Sequence, residues 1–331
     1  HATAEEAVEE TERMLNVYAD MCENALCMPV IKGVKTESDK FAGAVSTYCI
    51  EALMHDGKAL QAATSHYFGD GFARAFDMTY TDKENKLQYV HQTSWGSTTR
   101  LIGAIIMSHG DNNGLVLPPA VAPIQVVILP IAQHKEGVLD KAYELRDRLS
   151  KVFRVKVDDS SNSAGWKFAE YEMKGVPLRL EIGPRDIENN ACVLVRRDNG
   201  EKVVVSLDEL ETKVPELLKA VHDGLYQKAY DRRASMTFTA KDFAELKDIA
   251  TQYHLYWPIY ILVQIITSTS LLITILARRS LVAATAIGFG IIIAILALLA
   301  RLGISLYAYY TEMGYVINNI VVPESVGVVM Y

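Results

Sequence analysis

"QAATSHYFGDGFARAF", residues 61–76, sets a serine beside a histidine in a run that alternates like a strand. Adjacent strand residues point to opposite faces, so Ser65 and His66 diverge rather than bond one another. A serine nucleophile needs its base within hydrogen-bond reach, and no GxSxG turn surrounds this serine. The pair does not read as hydrolytic. Thr64 and His66, two apart, share a face instead. Gln61 stands three before Thr64 and joins them only if Ala62–Ala63 carries a bulge. That face would offer an amide, a hydroxyl and an imidazole to a small polar ligand; the same residues also suit an ordinary satisfied sheet surface.

Working outward, residues 47–54 and 58–67 read as strands parted by the turn His55-Asp56-Gly57. "FARAFDMTYTD" and "LQYVHQTSWG" bracket "KENK" as a further hairpin, and a helix "RLIGAIIMSHGD" follows Thr99. Residues 3–28 have helical spacing, with Ala7, Met14, Leu15, Tyr18, Met21, Cys22 and Leu26 on one stripe and acidic first turns. The first half is therefore expected to be α+β with an antiparallel sheet. From Ile124 the rhythm changes. "IQVVILPI" is continuously apolar, as a strand buried on both faces should be, and strands then alternate with amphipathic helices to about residue 234. This predicts a small α/β domain with its strands covered on both sides, joined through Pro118-Pro119 and Pro123.

Charge and cysteine content narrow the function classes. Among 331 residues, 33 Lys+Arg face 40 Asp+Glu, so no global polycation marks a nucleic-acid binder, although a local basic surface can serve. Cys22 and Cys27 have no matching second pair, which favours ordinary buried thiols over a zinc site. Neither a basic nor an apolar leader opens the chain. Residues 255–277 and 280–300 lack charge and are parted by Arg278-Arg279. As a helix, each run can cross a layer of ~30 Å at ~1.5 Å per residue, so a hairpin of membrane-spanning helices is expected over 255–310.

Four stretches together resemble the class II aminoacyl-tRNA synthetases, and among them the prolyl enzymes. "TSWGSTTRLIGAIIMSHGDNNGLVLPP" (93–119) is similar to their motif 3, and "QAATSH" to a Q-x-x-TSH stretch. "KGVKTESDKFAGA" (32–44) is similar to their lysine-threonine-glutamate loop, and "GWKFAEYEMKGVPLRLEIGPRD" (165–186) to their anticodon-binding domain. The resemblance covers roughly residues 1–250. It implies an α+β class II catalytic core with an antiparallel sheet over 1–119 and an α/β anticodon-binding domain over 120–235. A linker over 236–254, the hydrophobic hairpin over 255–310 and a tail over 311–331 follow. It also implies a cytoplasmic ligase that joins L-proline to ATP as prolyl-adenylate, with Mg²⁺, and passes the prolyl group to tRNA(Pro). Arg100 would grip a phosphate as the catalytic residue, with Gln61, Thr64 and Thr98 on ATP, Gln61 through Mg²⁺, and His66 lining the proline pocket. Lys167, Lys174, Arg179 and Arg185 are the implied anticodon readers.

Departures from the family pattern matter too. The family's dimer-forming motif 1 and most of motif 2, with an ATP-binding arginine, fall upstream of His1; "HAT" is similar to the string just after motif 2. The interval to motif 3 has no room for the large editing insertion of some bacterial prolyl enzymes, as in the archaeal and eukaryotic type. "YFGDGF" replaces a leucine-glycine-glutamine-asparagine run, and no cysteine follows Cys192, where a cysteine-rich terminal domain is usual. The two turn arginines would place both hairpin ends outside the cytoplasm, against the needs of a tRNA ligase. A joined or truncated ligase and a membrane-tethered enzyme both remain open. A membrane-anchored, non-catalytic tRNA-binding module is the alternative from another class. A regulated membrane hairpin ranks last, being poor in polar residues.

Overall fold

The structure, a computed structural model, describes residues 1–242, residue 245 and residues 328–330. Residues 1–236 belong to one contact unit, and the described part of a second unit (237–329) includes the short strand Thr237–Thr239, inside the stretch read as linker. The expected hairpin over 255–310 lies outside the described residues. Among the described residues no helix is long and apolar enough to cross a membrane.

The chain opens with α1 (Ala4–Asp20), capped by Thr3, whose hydroxyl accepts the Glu6 N–H. Ala7, Thr11, Leu15 and Ala19 recur every four residues and bury against the first sheet. The helical reading to residue 28 needs one correction. A π-helical turn, Met21–Ala25, ends the helix, and Cys27 turns left-handed at φ 54°. The first sheet then forms from β1 (Val30–Val34), β2 (Ser46–Leu53) and β3 (Ala59–Gly69). A short helix, α2 (Gly71–Ala75), and the hairpin β4 (Thr79–Thr81) and β5 (Leu87–Tyr89) lead to β6 (Gln92–Ser97) and α3 (Arg100–His109). The order is β1-β2-β3-β6, antiparallel throughout, as the alternation predicted.

The second sheet holds β7 (Val126–Pro130), β8 (Val155–Val157), β9 (Leu178–Ile182), β10 (Ala191–Arg196) and β11 (Lys202–Ser206). Its helices are α4 (Val138–Leu149), α5 (Ala164–Met173), α6 (Pro184–Glu188) and α7 (Leu210–Ser235). In the order β11-β10-β9-β7-β8 the strands β7, β8 and β9 run parallel, while β10 and β11 are antiparallel additions. One core joins this sheet to α4 and to α7, which contributes Leu210, Val214, Leu218, Val221 and Leu225. Each such side chain contributes about 1.5–3 kcal/mol of burial. On the other face α5 covers β7 through Phe168 and Tyr171, with Val176 just past the helix joining them, and Arg179 of β9 lies over the Phe168 ring. Coverage on both sides therefore fails at the edge: Val204 of β11 is 75% exposed, because α5 does not reach it.

The two sheets are laced by the loop after α3. Leu115 N–H donates to Met173 O at 2.9 Å, and Leu117 N–H to Gly175 O at 3.1 Å. The backbones come so close that a Cβ on Gly114 (φ 131°) would stand 2.6 Å from Met173 Cα. Asp111 takes two bonds of 2.7 Å from the Arg197 guanidinium, which also donates to Glu172 O. From α7, Arg232 and Arg233 cap Ser108 O and Val30 O, and His222 Nδ1 meets Cys27 Sγ at 3.1 Å.

Replacing Gly114 by Ala is expected to lower stability by about 1–3 kcal/mol, from strain and backbone clash together. Gly103→Ala, inside α3 with nothing within 4 Å of a new Cβ, is expected to be neutral or to stabilise by up to about 1 kcal/mol. Urea unfolding of both variants checks the pair. A second expectation concerns acid. The Arg197 hydrogen bonds hold the Asp111 carboxyl down to about 2, against 3.8 ordinarily. A carboxyl depressed in the fold stabilises above its unfolded value and loses that stability as pH falls through its folded one. The urea-midpoint gap between the native chain and Asp111→Asn is thus constant above about 3.8 and closes as pH approaches about 2.

Candidate active face and anticodon face

The sheet β1-β2-β3-β6 has two unlike sides. One packs on α1 and α3 through Ile50, Ala52, Ala62 and Ala63. Ser65 belongs to this side: fully buried, it donates to Thr11 O at 2.7 Å. His66 lies on the other, so the two do diverge. The register between β2 and β3 slips by one residue, pairing Ile50 with Ala63 and Glu51 with Gln61. Ala62 is the extra residue, and Ala62 and Ala63 are both buried. The slip returns Gln61 to the face of Thr64 and His66, the condition set by the spacing.

Across the strands, His66 pairs with Thr47 and Ser94, Thr64 with Cys49 and Gly96, and Gln61 with Glu51. Gly96 has nothing within 4 Å of a would-be Cβ, leaving open space over Thr64. Thr98 and Arg100 stand where β6 hands over to α3. The Thr98 hydroxyl accepts the Arg100 N–H at 3.2 Å, and the Arg100 guanidinium reaches Gln61 O at 3.4 Å. Among the described residues Arg100 has no carboxylate partner, so its planar fork is available to an anion.

The same face carries residues the sequence reading missed. Burial pushes the Glu51 carboxyl up, opposed by the Lys35 cation. Burial also pushes the Cys49 thiol up to about 12, which keeps it protonated and inert. His66 is held below its ordinary value by burial and then by Lys35, so its ring is neutral. Its Nδ1 lies 2.9 Å from the Thr47 hydroxyl. Phe41 and Phe68 flank the imidazole at 5.2 and 5.8 Å between ring centres, and Phe72 stacks edge-on against Phe68 at 5.1 Å. One end of the face is therefore aromatic and the other polar, with the Arg100 guanidinium beside the Gln61 carbonyl. Thr47 and Glu51 at even spacing, with Cys49 between them, were the available signal for this set.

The second candidate site lies by α5 and β9. A cavity of about 390 Å³ is lined by Asp111, Tyr171, Glu172, Arg179, Arg196 and Lys202 among others. Arg179 sits over the Phe168 ring at 4.3 Å and bonds Glu181 at 2.8 Å. Lys174 is exposed and paired with Glu170 at 2.5 Å, and Arg185 is exposed on α6. Lys167 stands elsewhere. It is 2% exposed, and its ammonium donates to Asp158 O at 2.8 Å and Gln133 Oε1 at 3.0 Å, so it holds the interior together. The four cysteines are all buried and free, and burial pushes Cys22 to about 11 and Cys27 and Cys192 to about 12.

Comparison with known proteins finds relatives of both halves. The model of the tRNA synthetase class II core domain (G, H, P, S and T) matches residues 1–109, and that of the anticodon binding domain residues 125–217. A proline–tRNA ligase of Clostridium novyi (strain NT) is 67% identical over 250 residues, 76% of this chain and 52% of that protein. One from Ruminiclostridium cellulolyticum is 67% identical over 249 residues, 75% of this chain and 52% of that protein. The crystal structure of prolyl-tRNA synthetase from Cryptosporidium parvum, complexed with L-proline and AMP, matches with a TM-score of 0.72 at 44% identity. It covers 76% of this chain and 55% of that one. The chain spans about half the length of the curated relatives it matches, and over that span it belongs to the prolyl-tRNA synthetase family.

Proposed function

We infer that the chain serves proline–tRNA ligation, on the face that gathers Gln61, Thr64, His66, Thr98 and Arg100. The observation that carries this reading is the bulge at Ala62, which aligns three separate groups beside the Arg100 guanidinium. Activation joins a proline carboxylate oxygen to the α-phosphorus of ATP and expels pyrophosphate. The tRNA 3′-terminal hydroxyl then attacks the acyl carbon, and AMP leaves. Such steps ask for positioning and charge neutralisation more than for covalent help. Arg100 meets a phosphate; Gln61, Thr64 and Thr98 orient the nucleotide. Mg²⁺ arrives with ATP as part of that substrate, and the Gln61 amide oxygen is a suitable hard ligand for it. The aromatic end, with His66 beside Phe41 and Phe68, suits the apolar pyrrolidine ring of L-proline.

The anticodon reading rests on Arg179, Arg185 and Lys174; burial of Lys167 removes it from that set. We further propose the division 1–119 core, 120–235 anticodon-binding domain, 236–254 linker, 255–310 apolar hairpin and 311–331 tail. Action in the cytoplasm, a family-type homodimer and membrane attachment through the hairpin are parts of the same reading. A second reading, a tRNA-binding module without catalysis, rests on one observation: the anticodon binding domain model matches residues 125–217.

Proline-dependent ATP–pyrophosphate exchange tests catalysis, with the chain joined to the part of its relatives that it does not span. Proline is expected to support exchange and alanine or cysteine not; the reverse would end the specificity claim. Arg100→Ala is expected to cut exchange by about 10²–10³-fold, the size of one transition-state charge contact. Binding of tRNA(Pro) is expected in both readings and separates them from an uninvolved surface. Its affinity should fall steeply with salt, and Arg185→Ala should lessen the log–log slope by about one contact. Unchanged slopes would remove Arg185 from the interface.

A further inference from the structure

We propose that Thr47 is a positioning residue that fixes the tautomer of His66, presenting Nε2–H to the bound amino acid. The substrate part of this rests on the proline reading above; the tautomer does not.

Thr47 is 1% exposed and pairs directly with His66 across β2 and β3. Its hydroxyl has two neighbours, the Phe41 N–H at 3.0 Å and His66 Nδ1 at 2.9 Å. A backbone N–H can only donate, so Phe41 occupies a lone pair of Oγ1. If Nδ1 also donated, the hydroxyl proton would have no acceptor, because no other bond to Oγ1 forms among the described residues. A buried donor left unpaired costs about 1–3 kcal/mol. The hydroxyl therefore donates to Nδ1, and a neutral imidazole then carries its proton on Nε2. Among the described residues Nε2 has no partner.

A donor at this point selects the orientation of the ligand. The Nε2–H can meet a carboxyl or acyl oxygen of the amino acid, but not its ammonium, which itself only donates. The same hydroxyl accepts the backbone N–H of Phe41, whose ring borders the imidazole. One buried hydroxyl thus sets both the polarity of His66 and the place of its aromatic neighbour.

Nitrogen-15 NMR of the full chain, with histidine labelled at both ring nitrogens, reads the tautomer directly. The native chain is expected to show His66 as a single Nε2–H form. Thr47→Val keeps the shape but removes the hydroxyl, and it should yield a mixture of both tautomers; Thr47→Ser should restore one. An Nδ1–H form in the native chain overturns the proposal, and so does an unchanged Nε2–H form in a folded Thr47→Val chain. The native spectrum decides even if Thr47→Val does not fold. L-Proline added with ATP then tests the substrate part. In the chain joined to the part of its relatives that it does not span, Thr47→Val should raise KM for proline about tenfold and leave KM for ATP unchanged, one neutral hydrogen bond's worth. If the tautomer is as stated but proline shifts no His66 resonance, the proline reading fails and the tautomer assignment stands.

Discussion

A single extra residue in β3 governs how this face works. With Ala62 unpaired against β2, Ala62 and Ala63 both turn into the core beneath. Without that slip, a strict period of two would set Gln61 on the side of Ser65, among α1 and α3. The bulge therefore lets one strand pack a small-residue core and still align an amide, a hydroxyl and an imidazole above it. Small side chains make this tolerable, since two alanines fit where two larger residues would crowd Ile50.

From the bulge the polar chemistry spreads outward by pairing alone. Antiparallel partners share a face, so Thr47, Cys49 and Glu51 come opposite His66, Thr64 and Gln61, and Gly96 leaves the space above them open. Arg100 takes its place because β6 ends at Ser97 and α3 begins at Arg100, which puts the guanidinium beside the Gln61 carbonyl. Burial and one lysine keep His66 neutral, so the face presents a cationic end and an uncharged aromatic end. That polarity suits a substrate with an anionic and an apolar part.

The junction between the two sheets follows a different logic. Its contacts are backbone to backbone at Leu115 and Leu117, with a bidentate ion pair between Asp111 and Arg197. Gly114 and Gly175 are required there by close approach, not by turn geometry alone. The buried His109 donates from Nε2 to Leu26 O and is pushed down to about 4, chiefly by burial. Neutral and fixed, it ties the end of α3 to the turn after α1, beside that junction.

Much of this was legible in the amino-acid order. Local periodicity located the long helices and most strands, because side-chain alternation and helical stripes are properties of neighbouring residues. It passed over β1, α2 and α6, and the run LQYVHQTSWG, read as one hairpin arm, divides into β5 and β6 in two different sheets. Motif stretches pointed to the family, and the face of Thr64 and His66 followed from their spacing. The order of residues could also state the condition for Gln61, a bulge at Ala62–Ala63, but not decide it, since register depends on the strand opposite. Lys167 shows the limit most plainly. A lysine beside a glycine-tryptophan pair reads as a surface cation, yet in the fold its ammonium finds Asp158 O and Gln133 Oε1 and is enclosed. Thr47, Lys35 and Glu51 became part of the site only through cross-strand neighbours far away in sequence. Residue types and their periodicity determined the elements and the family; long-range pairing alone decided which polar groups meet, because burial and hydrogen-bond partners are set by what lies across the sheet.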